Sequence, residues 1–354
     1  MQKIPEQLLA GVRKILVCQQ RQIGDVLLAT PAIELLKKRF PDAELHVFTE
    51  KKCIPMLAQN PNVTKIWAID KKELNSFFKE IAYYRKVGRQ NFDLVVDFQQ
   101  LPRCLWVVGF SRAPIRLSYH PPWYRKFLYT HWMDMPDNLY SAAKKASILA
   151  LLGADWNGEK PKLYLSDEER SAAQSILLES GLQENDLLIT LDPTHRRITR
   201  LWPLRHFARL IDLAYTHLPN VRFLPLYGPG EEKDIKELVN MVENKAAVIE
   251  SSRMLGLREA AACMEKAVLH VGNCSAPRHM ATAVGTPTLT ILGSTDIYWD
   301  YPSSMHRNIA YGADCQPCSR NECSKGIFCL EQLMPEAVVN ELLNMLETET
   351  SQEK

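Results

Sequence analysis

The chain alternates between short apolar runs and longer amphipathic stretches. Residues 13–19, Arg-Lys-Ile-Leu-Val-Cys-Gln, form an apolar, β-branched run of strand length. Beyond it, Val26, Ala29, Ile33, Leu36 and Phe40 recur at spacings of three and four, which predicts a helix over 25–40. Pro31 falls inside that stripe and predicts a kink or a boundary there. Residues 43–49, 63–69 and 92–98 read as further strands, with helical patterns near 51–59 and 73–88. Strands and helices alternating at this length predict a parallel, doubly wound α/β sheet.

A second series begins after Ser166, which opens an S-x-x-E capping box with Glu169; Gly181 marks the stop of that helix. Strands are expected at 186–191, 221–227, 266–271 and 286–292. Helices are expected from Pro203 to His217, from about Glu231 and from about Ser275. The polar, Gly- and Pro-containing stretch at 155–166 separates the two series. At roughly 150 residues per domain, 354 residues agree with two domains. The expected division is 1–165, 166–330, and a tail 331–354 with an amphipathic helix from Pro335 to about Thr348.

Composition narrows the function classes. A net charge of +2 argues against a nucleic-acid binder and leaves room for a local basic face. No run of about 18 apolar residues exists, and the N-terminal stretch has charges within its apolar part, so neither a spanning helix nor a secretory signal is expected. Of nine cysteines, Cys18, Cys53, Cys104, Cys263 and Cys274 lie among apolar residues, the pattern of buried thiols in a reducing cytoplasm.

Candidate chemistry sits where strands end, since ligands of doubly wound sheets gather at the carboxyl ends of the strands. Gly24-Asp25 follows the first strand. Asp25 reads equally as a helix cap or as a general base, with Gly24 allowing close approach of a ligand. Residues 112–132 carry Arg112, Arg116, Arg125 and Lys126 among Trp123, Tyr124, Phe127, Tyr129 and Trp132. Such interleaving suits an anionic, partly apolar partner such as a glycolipid at a membrane surface; single-stranded nucleic acid would use the same ingredients, and an irregular loop of surface arginines is the plain alternative. In the second half, the loop 192–203 places Thr194, Arg196, Arg197 and Arg200 after a strand, where arginines can clamp a diphosphate. Residues 272–279, Gly-Asn-Cys-Ser-Ala-Pro-Arg-His, offer backbone N–H groups around Ser275 and Ala276 to an anion, with His279 in the first turn. Glu231 or Glu232 can hold a sugar hydroxyl or act as the first-turn acid of the next helix.

Several chemistries lack their motifs. No G-x-G-x-x-G follows the first strand, which counts against a nicotinamide dehydrogenase. There is no D-x-D to hold a metal beside a diphosphate, no G-x-S-x-G and no Walker A. Four cysteines, Cys315, Cys318, Cys323 and Cys329, cluster near the C-terminus. Zinc or a cluster, a pair of disulfides and free thiols all stay open for them.

Taken together, the motifs resemble the bacterial heptosyltransferases of glycosyltransferase family 9. The motifs are R-Q-I-G-D-V-L-L-A-T-P (21–31), N-P-N-V (60–63), R-L-W-P (200–203), Y-G-P-G-E-E (227–232), G-N-C-S-A-P-R-H-M-A (272–281), T-P-T-L-T-I-L-G (286–293) and C-x-P-C (315–318). The resemblance implies the GT-B architecture, two Rossmann-like domains facing a cleft, with the C-terminal helix returning toward the first domain. It implies inverting, metal-independent transfer from a nucleotide-sugar, usually ADP-heptose, to a lipopolysaccharide inner-core acceptor, with no cofactor. The enzyme would be cytoplasmic and peripheral to the inner face of the membrane. By the same resemblance Asp25 is the catalytic base and Arg200 stands where the family commonly has Lys. The donor set is Arg200, Thr194, Arg196, Glu232, Ser275, Ala276 and His279; the acceptor set is Gly24, Lys51, Arg112, Arg116 and Arg125. The family's phosphate turn usually reads D-S-G or D-T-G, and here it reads Cys274-Ser275-Ala276.

Overall fold

The computed structural model describes residues 4–352, with side chains for 4–348. The chain divides into two α/β units, Met1–Tyr164 and Leu165–Lys354. The first holds six parallel strands: β1 Lys14–Cys18, β2 Glu44–Glu50, β3 Lys65–Ile69, β4 Leu94–Asp97, β5 Ile115–Tyr119 and β6 His131–Met133. Their order is β3-β2-β1-β4-β5-β6, all pairs parallel, which is the Rossmann order. The chain leaves β1 toward β2 and later returns to its other side at β4. The carboxyl ends of β1 and β4, where Cys18 pairs with Asp97, are therefore the switch point of this sheet.

The second unit holds β7 Leu187–Asp192, β8 Val221–Pro225, β9 Leu269–Asn273, β10 Thr288–Ile291 and β11 His306–Ile309, in the order β11-β10-β9-β7-β8. Its switch point lies between β7 and β9, where Asp192 pairs with Gly272. Strands buried on both faces need continuous apolar runs, and Ile15, Leu16, Val17, Ile189, Leu191, Leu269 and Val271 are buried.

Proline decides the first helix as expected. The stripe over 25–40 splits into helices Ile23–Leu27 and Thr30–Arg39, with Pro31 in the first turn of the second, where its missing N–H costs nothing. The helical pattern at 51–59 is instead a short 3-10 segment, Lys51–Met56, that contains Pro55. The basic stretch 112–132 is not a loop: it holds β5, the 3-10 segment Trp123–Leu128 and the start of β6.

The helix Pro335–Gln352 packs on the second unit: its buried Val338, Val339, Leu342 and Met345 belong to the core that also holds Phe207, Leu210 and Ile211. The last two residues of the tail lie outside the described ones. Trp202 anchors the same core: it is fully buried, edge-on to Phe207, and its indole N–H donates to the Leu333 carbonyl at 2.9 Å. Trp202→Ala is expected to cost about 3–5 kcal/mol in denaturant unfolding, through the cavity and the orphaned carbonyl. A loss below about 1 kcal/mol would mean that this core repacks freely.

Candidate active site

Asp25 sits in the first turn after β1, at the switch point. Its Oδ2 accepts the Gln22 backbone N–H at 3.3 Å, and its Oδ1 accepts from Lys145 Nζ at 3.1 Å. The cap reading thus holds and leaves the carboxylate a quarter exposed, reachable by a ligand. Lys145, on the helix Ser141–Ser147, was not picked out from the sequence; nothing local links it to a residue 120 positions away. Gly24 is buried within the Asp25 turn. Lys51 turns away to Asp70 at 2.5 Å. Its neighbour Lys52 reaches the turn instead, donating to Gln22 Oε1 at 2.8 Å and pairing with Glu50 at 3.2 Å. Burial works to raise the Glu50 pKa, but Lys52 and Lys71 outweigh it and hold the carboxyl below its usual range.

The three arginines called as acceptor contacts separate. Arg112 ends the helix Pro102–Ser111 in a left-handed conformation, φ 51°, before β5 begins. It therefore lies at the amino edge of the parallel sheet, opposite the edge of Asp25. The Arg116 guanidinium donates to the carbonyls of Leu128, at 2.6 Å, and Ala113, so it fastens the loop to β5; burial pushes its pKa down. Only Arg125 stands at the carboxyl edge, donating to Gln100 O at 3.1 Å and lying over the Tyr124 ring at 5.2 Å. Around it Trp123 and Phe127 are largely exposed.

In the second unit the loops after β7, β8 and β9 converge. The Thr194 hydroxyl donates to Glu231 at 2.9 Å, and the same carboxylate accepts the Gly228 N–H at 2.7 Å. Glu231, not Glu232, is the inward acid; Glu232 is exposed and opens the helix Glu232–Met241. Arg200 ends the 3-10 turn Ile198–Arg200, half-buried, and its Nε is buried without a hydrogen-bond partner. Burial pushes its pKa down, with Arg197 and Arg278 close enough to add to that and Cys274 opposing it. Arg196 and Arg197 are exposed. His195 is pushed down to about 4, by burial first and by Arg200 next, so its ring is neutral.

The turn after β9 is fixed by Asn273, whose Oδ1 accepts the Trp202 backbone N–H at 2.9 Å. Ser275 precedes the helix Ala276–Val284, with Ala276 half-buried beside it. No acid stands at 274, yet a carboxyl reaches this turn: the Ser275 hydroxyl donates to Asp192, and burial with Glu231 nearby pushes Asp192 up to about 8. His279 is buried, its ring 6.3 Å from that of Trp299. Arg278 is held by Asp300 at 2.9 Å.

The five scattered cysteines are buried free thiols. Cys315, Cys318, Cys323 and Cys329 are also free. Cys323 Sγ accepts the N–H groups of Lys325 and Ile327, which lowers its pKa; burial raises that of Cys329, and the other three thiols add to it. Among the described residues no three His, Cys, Asp or Glu side chains are grouped to hold a metal ion. No helix among them is long and apolar enough to cross a membrane.

Comparison with known proteins bears on the family and the fold. The model of glycosyltransferase family 9 (heptosyltransferase) matches residues 81–328. A lipopolysaccharide heptosyltransferase 3 of Escherichia coli is 28% identical over 289 residues, 78% of this chain and 82% of its own. Among solved structures, the glycosyl transferase family 9 protein of Veillonella parvula superposes with a TM-score of 0.83 at 21% identity, covering 95% of this chain and 98% of its own. An E. coli heptosyltransferase solved with ADP gives a TM-score of 0.72 at 18% identity, covering 94% and 99%. A more distant E. coli neighbour, TM-score 0.58 at 14% identity over 96% and 77%, is a dodecameric iron-containing glycosyltransferase. The order of motifs, the two parallel sheets and the match over residues 81–328 converge on one assignment: this chain is an enzyme of glycosyltransferase family 9, the heptosyltransferases.

Proposed function

We propose that the enzyme transfers heptose from ADP-heptose to an anionic inner-core glycolipid, with inversion and without a metal, at the cytoplasmic face of the membrane. The observation that carries the donor assignment is Arg200: a half-buried guanidinium with an orphaned Nε, beside the uncapped start of the helix Ala276–Val284. That pairing of a cation and helix N–H groups is what a diphosphate leaving group needs. The Thr194–Glu231 pair, which joins the loops after β7 and β8, suits sugar or ribose hydroxyls. Arg125 among exposed Trp123 and Phe127 suits an acceptor with phosphate and acyl parts.

In this reading Asp25 takes the proton of the acceptor hydroxyl as its oxygen attacks the anomeric carbon. The bond to the diphosphate oxygen breaks in the same step, with its charge received by Arg200 and the helix N–H groups. Attack from the face opposite the leaving group inverts the anomeric configuration. A screen of nucleotide-sugars by calorimetry tests the donor: ADP-heptose is expected to bind more tightly than UDP- or GDP-sugars, and a preference for either of those overturns the donor assignment.

Turnover is expected to survive EDTA. Loss restored by Mg²⁺ would overturn metal independence. Loss restored only by iron or zinc would also overturn it, and Cys315→Ser would then test whether the C-terminal cysteines hold that metal.

A further inference from the structure

β7 and β9 approach unusually closely at their carboxyl ends. Asp192 pairs with Gly272, and a Cβ on that glycine would fall 2.6 Å from the Asp192 Cβ. The approach brings a carboxyl that is 96% buried, being 4% exposed, onto the hydroxyl of Ser275. Ser275 stands at the N-cap of the nine-residue helix Ala276–Val284, where a serine oxygen ordinarily accepts an N–H of the first turn. It makes no such bond here. Its hydroxyl is turned to Asp192 instead.

We propose that Asp192 is a positioning residue for the donor diphosphate: it holds the Ser275 hydroxyl away from the helix end, so that the first-turn N–H groups stay available to the anion. The inference rests on reading this edge as the donor site. It accounts for a buried acid on a strand end that otherwise has no chemistry assigned.

The charge state follows from the surroundings. Burial is the main cause that lifts Asp192 to about 8; Glu231, from the loop after β8, adds to it, and the Ser275 hydrogen bond opposes it. From the loop after β9 come Cys274 and Ser275. His195 and Arg200 lie in Asp192's own loop, with Arg200 near Cys274. Near neutral pH the carboxyl is protonated and places no negative charge beside a diphosphate. Donor therefore binds the protonated form better, and affinity falls as pH rises through about 8.

Calorimetric titration of ADP at about pH 7.5 and about pH 9.5 tests this. Wild-type affinity is expected to drop about tenfold across the window. Asp192→Asn keeps the shape and accepts the Ser275 hydroxyl but cannot ionise, so its affinity is expected to stay high and flat. Asp192→Ala frees Ser275 to cap the helix, and a loss of about tenfold at both pH values is expected. A pH-dependent fall in Asp192→Asn equal to that of wild type, or native affinity in Asp192→Ala, overturns the proposal. Should Asp192→Ala fail to fold, the flat profile of Asp192→Asn still decides. Arg200→Ala separates the two readings: if it also binds ADP as wild type does, the donor site itself is misplaced, and if it alone loses affinity, only the role of Asp192 falls.

Discussion

Asp25→Asn is expected to slow sugar transfer by about a hundredfold or more while leaving ADP affinity within about twofold. The substitution is nearly isosteric, and the amide oxygen still accepts the Gln22 N–H, so the turn after β1 keeps its cap. What it removes is the proton acceptor and the ion pair with Lys145. Two roles therefore need separating. If Asp25 serves only as cap and ion-pair partner, Asp25→Asn and Lys145→Ala should both lower the unfolding midpoint modestly and leave kcat near native; a partly buried pair of this kind contributes on the order of 1 kcal/mol. If Asp25 is the base, kcat collapses in Asp25→Asn whatever happens to stability. Arg200, Ser275 and Thr194 belong to the other unit, so ADP titration acts as the internal control. Near-native kcat with purified acceptor would remove Asp25 from the mechanism.

How far the sequence alone carries can be followed residue by residue. Parallel strands buried on both faces must be continuous apolar runs, so 13–19, 43–49, 92–98 and 186–191 announce themselves. Strand order then puts candidate residues at carboxyl edges without knowledge of any contact, which is how Asp25, Arg200 and Ser275 are found. The method fails where an edge is misjudged. Ile115–Tyr119 is short and holds Arg116 and Ser118, so it does not read as a strand; without it, Arg112 and Arg125 look like one patch although β5 carries the chain from one sheet edge to the other. It fails again at single-residue resolution: Glu231 and Glu232 are alternatives until the helix start fixes which one faces Thr194. Partners brought by a distant element leave no local signal. Lys145 beside Asp25, and Asp192 beside Ser275 across 83 residues, are products of tertiary packing.

Arg200→Ala is expected to weaken ADP binding ten- to a hundredfold, the loss of a charge-assisted bond to an anion of about 1.5–3 kcal/mol. Its surroundings make the case. Burial and the nearby Arg197 and Arg278 disfavour the cation, no carboxylate pairs with it among the described residues, and its Nε is left without an acceptor. A guanidinium kept under those conditions lowers stability unless an anion arrives, so the unfolding midpoint of ligand-free Arg200→Ala should be no lower than that of wild type. Wild type should then gain more from added ADP than the variant, since stabilisation by a ligand follows its affinity. Arg200→Lys should be milder, keeping the charge and losing the bidentate fork. Arg196 and Arg197 are exposed, and their alanine variants should bind within about twofold of wild type if they are solvated loop charges. If they too reach phosphate, losses in the multiple variants will not add, because all three groups share one ligand. Unchanged affinity in Arg200→Ala, with a large loss in Arg196→Ala, would move the diphosphate to the outer part of the loop after β7 and leave the orphaned Nε of Arg200 without a function.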